Sequence, residues 1–171
     1  TYYKGIFEYI PGKKVTAVDV ANRTLLVEGI EEFKGDVVNF IPPQRAAAIA
    51  AKAGLVGEDK KWCPVNVTTF ESTLQKNIHV IGDSAIAGAM PKSGYSANSQ
   101  AKVCAINLVA LMNGKELTEL SGINVCYSAI SDHESISVAG VYAVKEGKII
   151  GVPNSGGISP VDFSMTKAEH V

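Results

Sequence analysis

An apolar run, Ile78-His79-Val80-Ile81, ends in Gly82-Asp83, and the irregular stretch behind it leads to Met90-Pro91-Lys92-Ser93-Gly94-Tyr95-Ser96-Ala97-Asn98-Ser99-Gln100, where a helical pattern begins. Strand, loop and long helix in this order constrain the chain strongly, because the strand's carboxyl end and the helix's first turn must then share one side of the fold. Glycine permits close backbone approach, and an Asp behind it points a carboxylate into the crevice where open sheets take up ligands. The helix's first amides and macrodipole favour a partial negative charge by about 0.3 to 1 kcal/mol if exposed. Together these make half of a site for an elongated polar cofactor. The same residues describe an ordinary turn closed by Asp83 equally well.

Hydrophobic periodicity divides the rest of the chain around this motif. Strand-like patterns cover residues 15–20, 25–27 and 37–40, with a turn at Asn22-Arg23 and a stop at Pro42-Pro43. The Ala-rich stretch 44–53 predicts a short helix with Gly54 as its left-handed cap. A helix is expected over residues 95–113, with Ala97, Ala101, Cys104, Leu108 and Leu111 as its buried stripe and Gly114 at its end. From there the pattern returns to strands at 123–130, 136–144 and 148–152, with a turn at Lys145-Glu146-Gly147 and a loop over 153–157.

Several function classes are disfavoured. Sixteen basic residues against 17 acidic ones leave a net charge of -1, without the cationic surplus that nucleic acid requires. A 46% hydrophobic content suffices for a core, yet no uncharged apolar run reaches the roughly 18 residues of a membrane span. The three histidines lack metal-ligand spacing, and neither Cys nor carboxylate clusters occur, so no metal site is expected. His79, between Ile78 and Val80, reads as a residue satisfying one hydrogen bond at a sheet face. No G-x-G-x-x-G appears among the 16 glycines, so the turn that cradles a dinucleotide's pyrophosphate is missing. Either the ligand is smaller, or that segment lies upstream.

With Pro42-Pro43-Gln44-Arg45-Ala46, Gly54-Leu55, Trp62-Cys63-Pro64-Val65, the 78–83 run and the segment from Pro91 to Lys102, the chain resembles the flavoprotein subunit of flavocytochrome c sulfide dehydrogenase. Cys126-Tyr127-Ser128 and Ser155-Gly156-Gly157-Ile158-Ser159-Pro160 resemble that family's C-terminal segment, which lies near the flavin and the cytochrome partner. The resemblance implies an α/β fold, α+β in detail: the C-terminal part of a disulfide-reductase-like flavoprotein with two dinucleotide-binding domains, plus a β-rich interface domain. Residues 1–61 would be the end of the second, NAD-like domain and the return linker. Residues 62–114 would complete the FAD-binding domain, and 115–171 would face the cytochrome. The first FAD-binding lobe, with its glycine fingerprint and covalent flavin attachment, is expected before Thr1, so FAD has only a half-site here and bound flavin would be a surprise.

By resemblance, Cys63 belongs to a redox-active disulfide over the flavin, its partner lying upstream. Hydrosulfide would attack a disulfide sulfur, and the released thiolate would pass two electrons to FAD, since thiolate is both nucleophile and leaving group. A buried, inert thiol is the plain alternative for a cysteine in a Trp-Cys-Pro loop. Gly82, Asp83, Pro91, Lys92, Ser93, Gly94 and Tyr95 are the candidate flavin contacts. Lys92 would stabilise the reduced ring's negative charge or sit solvated in a loop. Ser93 and Ser96 suit helix caps equally well, and Asn98 and Gln100 suit surface positions. Three cysteines are an odd number; Cys104 and Cys126 read as core residues, and no intrachain disulfide is expected.

In the assembled enzyme the resemblance implies electron delivery to haem c on a cytochrome subunit, in the periplasm. A sulfide:quinone oxidoreductase would instead carry an amphipathic docking helix near the C-terminus, which residues 158–171 do not show as a pattern. An isolated chain could also serve as a non-catalytic cytochrome-docking module. Its exposed apolar surface would then favour self-association.

Overall fold

The computed structural model describes residues 4–132 and 134–159 and is α+β, built from helices and antiparallel sheets. The chain forms two compact units, residues 1–43 and 44–171. In the first, β1 (Val15–Asp19), β2 (Thr24–Val27) and β3 (Ile30–Lys34) make an antiparallel meander. Asp19 closes the first turn by accepting bonds from the Asn22 amide and side chain at 3.0 and 2.8 Å. Gly29, at φ +71°, lets the chain fold straight back, so β3 takes the free edge of β2. The strand expected over 37–40 is absent, and Val37 is exposed. Strand propensity describes fit to a half-buried sheet surface, and the place beside β2 is already filled by β3.

In the second unit, α1 (Ala48–Lys52) is capped by Gly54 at φ +67°. The long helix α2 runs Gly94–Met112, close to expectation. It packs against a sheet of β4 (Ser121–Ala129), β5 (Ser135–Lys145), β6 (Lys148–Gly151) and the short β7 (Gly157–Ile158). β4 and β5 pair from Ser121↔Ala143 to Ala129↔Ser135, and the turn to β6 uses Glu146 and Gly147 in left-handed conformations. Between helix and sheet lies a core of Phe70, Ala85, Met90, Val103, Cys104, Leu120 and Ile149. Burying such side chains contributes about 1.5–3 kcal/mol for each large one.

Two expectations fail in this unit. Residues 78–81 form no strand: the region from Cys63 to Ala85 is stitched by single bridges, Cys63↔Ala85, Val65↔Ser72 and Glu71↔His79. Phe70 and Asn77, both at positive φ, fold the chain back before any ladder can lengthen. Gly82-Asp83 therefore opens a 3-10 turn, Gly82–Ser84, instead of ending a parallel strand. The buried stripe of α2 is also rotated from the expected one. Ser96, Gln100, Val103, Cys104, Asn107 and Ala110 face inward, whereas Leu111 is 48% exposed. Polar side chains can line this face because each has a partner. Asn107, fully buried, donates to Thr68 and Thr118 carbonyls at 2.7 and 2.9 Å and accepts from the Thr118 amide at 2.8 Å.

Candidate functional site

The amino end of α2 is fastened to β4 by serines on one helical face. Ser93 caps the helix, accepting from the Ser96 amide at 3.1 Å. Its hydroxyl donates to Asn124 Oδ1 at 2.5 Å, and the buried Ser96 hydroxyl donates to the same oxygen at 3.3 Å. Ser99 donates to the Ile123 carbonyl at 3.0 Å and accepts from the Ile123 amide at 3.3 Å. Positions 93, 96 and 99 recur every three residues, which aligns them along one side of the helix. The opposite end of the Asn124 amide donates to Cys126 Sγ at 3.3 Å. Cys126 itself is exposed, not a core residue as expected, because the outer stretch of β4 runs exposed from Cys126 to Ala129.

Gly82 docks on the same helix. Its amide donates to Gln100 Oε1 at 2.7 Å, and Gln100 is 1% exposed, in contrast to the surface position expected from sequence. Gly82 adopts φ +68°, and a Cβ there would meet the Ala97 Cβ at 3.3 Å, so the site needs both the left-handed backbone and the missing side chain. Asp83 is exposed, and its backbone carbonyl accepts the Lys92 ammonium at 2.5 Å.

Lys92 is the hub of the loop cluster. It donates to the Ala85 carbonyl at 3.1 Å and lies 3.8 Å from the centroid of the Trp62 ring. Trp62 is itself held by an Asx turn in which Asp59 Oδ1 accepts from the Lys61 and Trp62 amides at 2.8 and 3.1 Å. Those two bonds hold the Asp59 carboxyl below its usual range. Partial burial pulls the Lys92 ammonium down, opposed first by the Asp83 carboxylate and less by that of Asp59. A concavity of about 120 Å³ opens here, lined among others by Trp62, Gly82, Met90, Pro91, Lys92 and Gln100.

Cys63 sits beneath this cluster. Its amide donates to the Ser84 carbonyl at 2.8 Å, its carbonyl accepts from Ile86 at 2.9 Å, and its side chain is fully enclosed with Ala46, Ala50 and Leu55. Burial pushes the thiol up, against a smaller downward pull from Lys92. Cys63, Cys104 and Cys126 are all unbridged. A fully enclosed, protonated sulfur is neither nucleophile nor accessible target in this arrangement.

The structure thus gathers Gly82, Asp83, Pro91, Lys92, Ser93 and Cys63 around the start of α2. Tyr95, 46% exposed, stands on the outer side of the first turn. His79 makes the single bond expected, with Nδ1 2.8 Å from the Thr69 carbonyl oxygen, while His133, His170 and Pro160 lie outside the described residues. Among the described residues no three His, Cys, Asp or Glu side chains come together, and no helix is long and apolar enough to cross a membrane. Sequence reasoning missed Gln100, Asn107, Asn124 and Ser99. A signal was there: Ser93, Ser96, Gln100, Val103, Asn107 and Ala110 follow the same three-four spacing as an apolar stripe.

Residues 119–170 match the family model described as flavocytochrome c sulphide dehydrogenase, flavin-binding. The match begins just before β4 and takes in Ile123 and Asn124, the residues that hold the serine face of α2. The start of α2 fits the edge of a flavin on three counts. Gly94 and Tyr95 are first-turn residues whose amides have no intrahelical partner, and a Cβ at Gly94 would meet nothing within 4 Å. Lys92, having given two hydrogens to carbonyls, retains a third.

Proposed function

From the match of residues 119–170 to the family model described as flavocytochrome c sulphide dehydrogenase, flavin-binding, we propose that the chain supplies one wall of the FAD site in an oxidoreductase that oxidises sulfide. Its electrons go to haem c on a cytochrome subunit, and the assembly works in the periplasm. The observation that carries this reading is the junction of Ser93, Ser96 and Ser99 with Asn124 and Ile123, which seats the family-matched strand on the helix start where Lys92 and Gly82 converge. The three-part division at residues 61 and 114 belongs to the same proposal.

In that site the amides of Gly94 and Tyr95 and the spare hydrogen of Lys92 would hold the flavin and favour the negative charge it gains on reduction. The Tyr95 side chain would help to hold it. Trp62 and Pro64 keep water from Cys63, which would act as one half of a disulfide with a cysteine outside this chain: hydrosulfide would attack one sulfur, the S–S bond would break, and one cysteine would leave as thiolate while the other carries the sulfide-derived sulfur as a persulfide. FAD, when bound, supplies the two-electron acceptor. Asp83 serves a sugar or ribityl hydroxyl through its exposed carboxylate.

The test is sulfide-driven reduction of cytochrome c by the full assembly, with visible flavin absorbance as the measure of loading. Asn124→Ala removes the oxygen shared by Ser93 and Ser96, and the proposal expects weaker flavin retention and slower cytochrome reduction. Full flavin loading and unchanged turnover in that variant would overturn it. The complete burial of Cys63 favours a second reading for the chain on its own, a cytochrome-docking module without redox chemistry. Cytochrome binding without flavin absorbance or sulfide oxidation identifies that case.

A further inference from the structure

We infer that Lys92 is the positioning residue of this loop cluster: its ammonium latches the Trp62 indole to the turn at residues 83–85 and so keeps the Cys63 thiol closed off. The latch has two arms. One is the pair of hydrogen bonds to the Asp83 and Ala85 carbonyls, the other the contact with the Trp62 ring at 3.8 Å. Cys63 lies between the segments they join. It follows Trp62 directly in the chain, and its own backbone is bonded to Ser84 and Ile86 across the Cys63↔Ala85 bridge. Trp62 packs against the cluster that encloses the thiol.

The charge of Lys92 is what makes both arms. Carbonyl oxygens and an indole face each attract a cation, and a neutral side chain of the same length offers neither interaction. The ionisable groups that act on the ammonium are Asp83, Asp59 and Cys63. Asp59 also holds the Trp62 amide, so the indole is gripped from its backbone by one charge and from its ring by the other. Opening the loop needs both grips to yield.

The inference takes Lys92 and Cys63 from the proposed flavin site, yet its test needs neither flavin nor sulfide, so its failure would leave that proposal standing. Native protein is treated with a small thiol reagent and each cysteine's rate is read by peptide mass. Reaction of a buried thiol follows the population of locally opened molecules. Cys104, enclosed in a different cluster, is the internal control for general loosening. In Lys92→Met the rate at Cys63 rises about five-fold or more, the scale of one cation–π contact, while Cys104 is unchanged. Lys92→Arg, which keeps charge and ring contact, stays near the natural protein. Emission of Trp62, the single tryptophan, shifts in Lys92→Met and not in Lys92→Arg. The inference is overturned if Cys63 remains as protected in Lys92→Met, if both variants release it equally, or if Cys104 is released with it.

Discussion

Replacing Gln100 by Met isolates the contact that docks the Gly82 turn onto α2. The two side chains have similar length and volume, so the place beside Met90 stays filled, while the acceptor for the Gly82 amide at 2.7 Å disappears. A buried donor left without a partner costs about 1–3 kcal/mol. Gly82 is only half buried, and the apolar side chain at a 1% exposed position returns part of that, so a net loss of about 1 kcal/mol is expected. With a urea dependence of about 2 kcal/mol per molar for a domain of this size, the midpoint falls by roughly 0.5 M. Trp62 fluorescence is the natural probe, since the single tryptophan lies in the unit formed by residues 44–171 and reports that unit alone. Because the Ser84 carbonyl binds the Cys63 amide, protection of the Cys63 thiol should fall together with the midpoint. An unchanged or higher midpoint would refute the reasoning, because the turn would then be held without Gln100.

Two further outcomes follow from burial and exposure. The thiol of Cys63 is raised by burial, so the folded state holds that proton more tightly than the unfolded one; the resulting stability is full at neutral pH and is lost as pH rises above the ordinary thiol range. Thermal melts should therefore lose more stability between neutral and alkaline pH in the natural protein than in Cys63→Ala, and Lys92, whose shift acts in the opposite sense, is present in both. Parallel curves would show that the buried thiol contributes nothing. On the outer side of α2, Ile106 is 53% and Val109 60% exposed, which predicts concentration-dependent self-association that Ile106→Lys with Val109→Lys abolishes. Sedimentation velocity decides this, and a monomer at high concentration before substitution would count against it.

Elements governed by local rules were legible in the chain. α2, its Ser93 cap, the Gly54 cap of α1 and the β5 to β6 turn all appear close to where residue pattern and turn chemistry place them, whereas α1 itself covers only 48–52 of the 44–53 expected. Elements that depend on a neighbour were not. Residues 37–40 and 78–81 have strand composition and form none, because a strand exists only where another offers its free edge. The stripe of α2 was misjudged for a related reason. Apolar periodicity favours Ala97, Ala101 and Leu108, but Asn124, Thr118 and Gly82 supply hydrogen-bond partners that make Ser96, Asn107 and Gln100 the buried choice. Desolvating those polar groups is tolerable only with those partners in place.

The sequence by itself determined the family resemblance, the α+β composition and the residues that meet near the start of α2, since motifs and caps are written in neighbouring positions. Tertiary structure alone decided what those residues do for one another. It turned Gly82-Asp83 from the end of a strand into a turn pinned by Gln100, made Lys92 a link between Trp62 and two carbonyls, and enclosed Cys63 beneath them. The physical reason is that hydrogen-bond partners and burial come from residues distant in the chain, and no local pattern encodes which of them will meet.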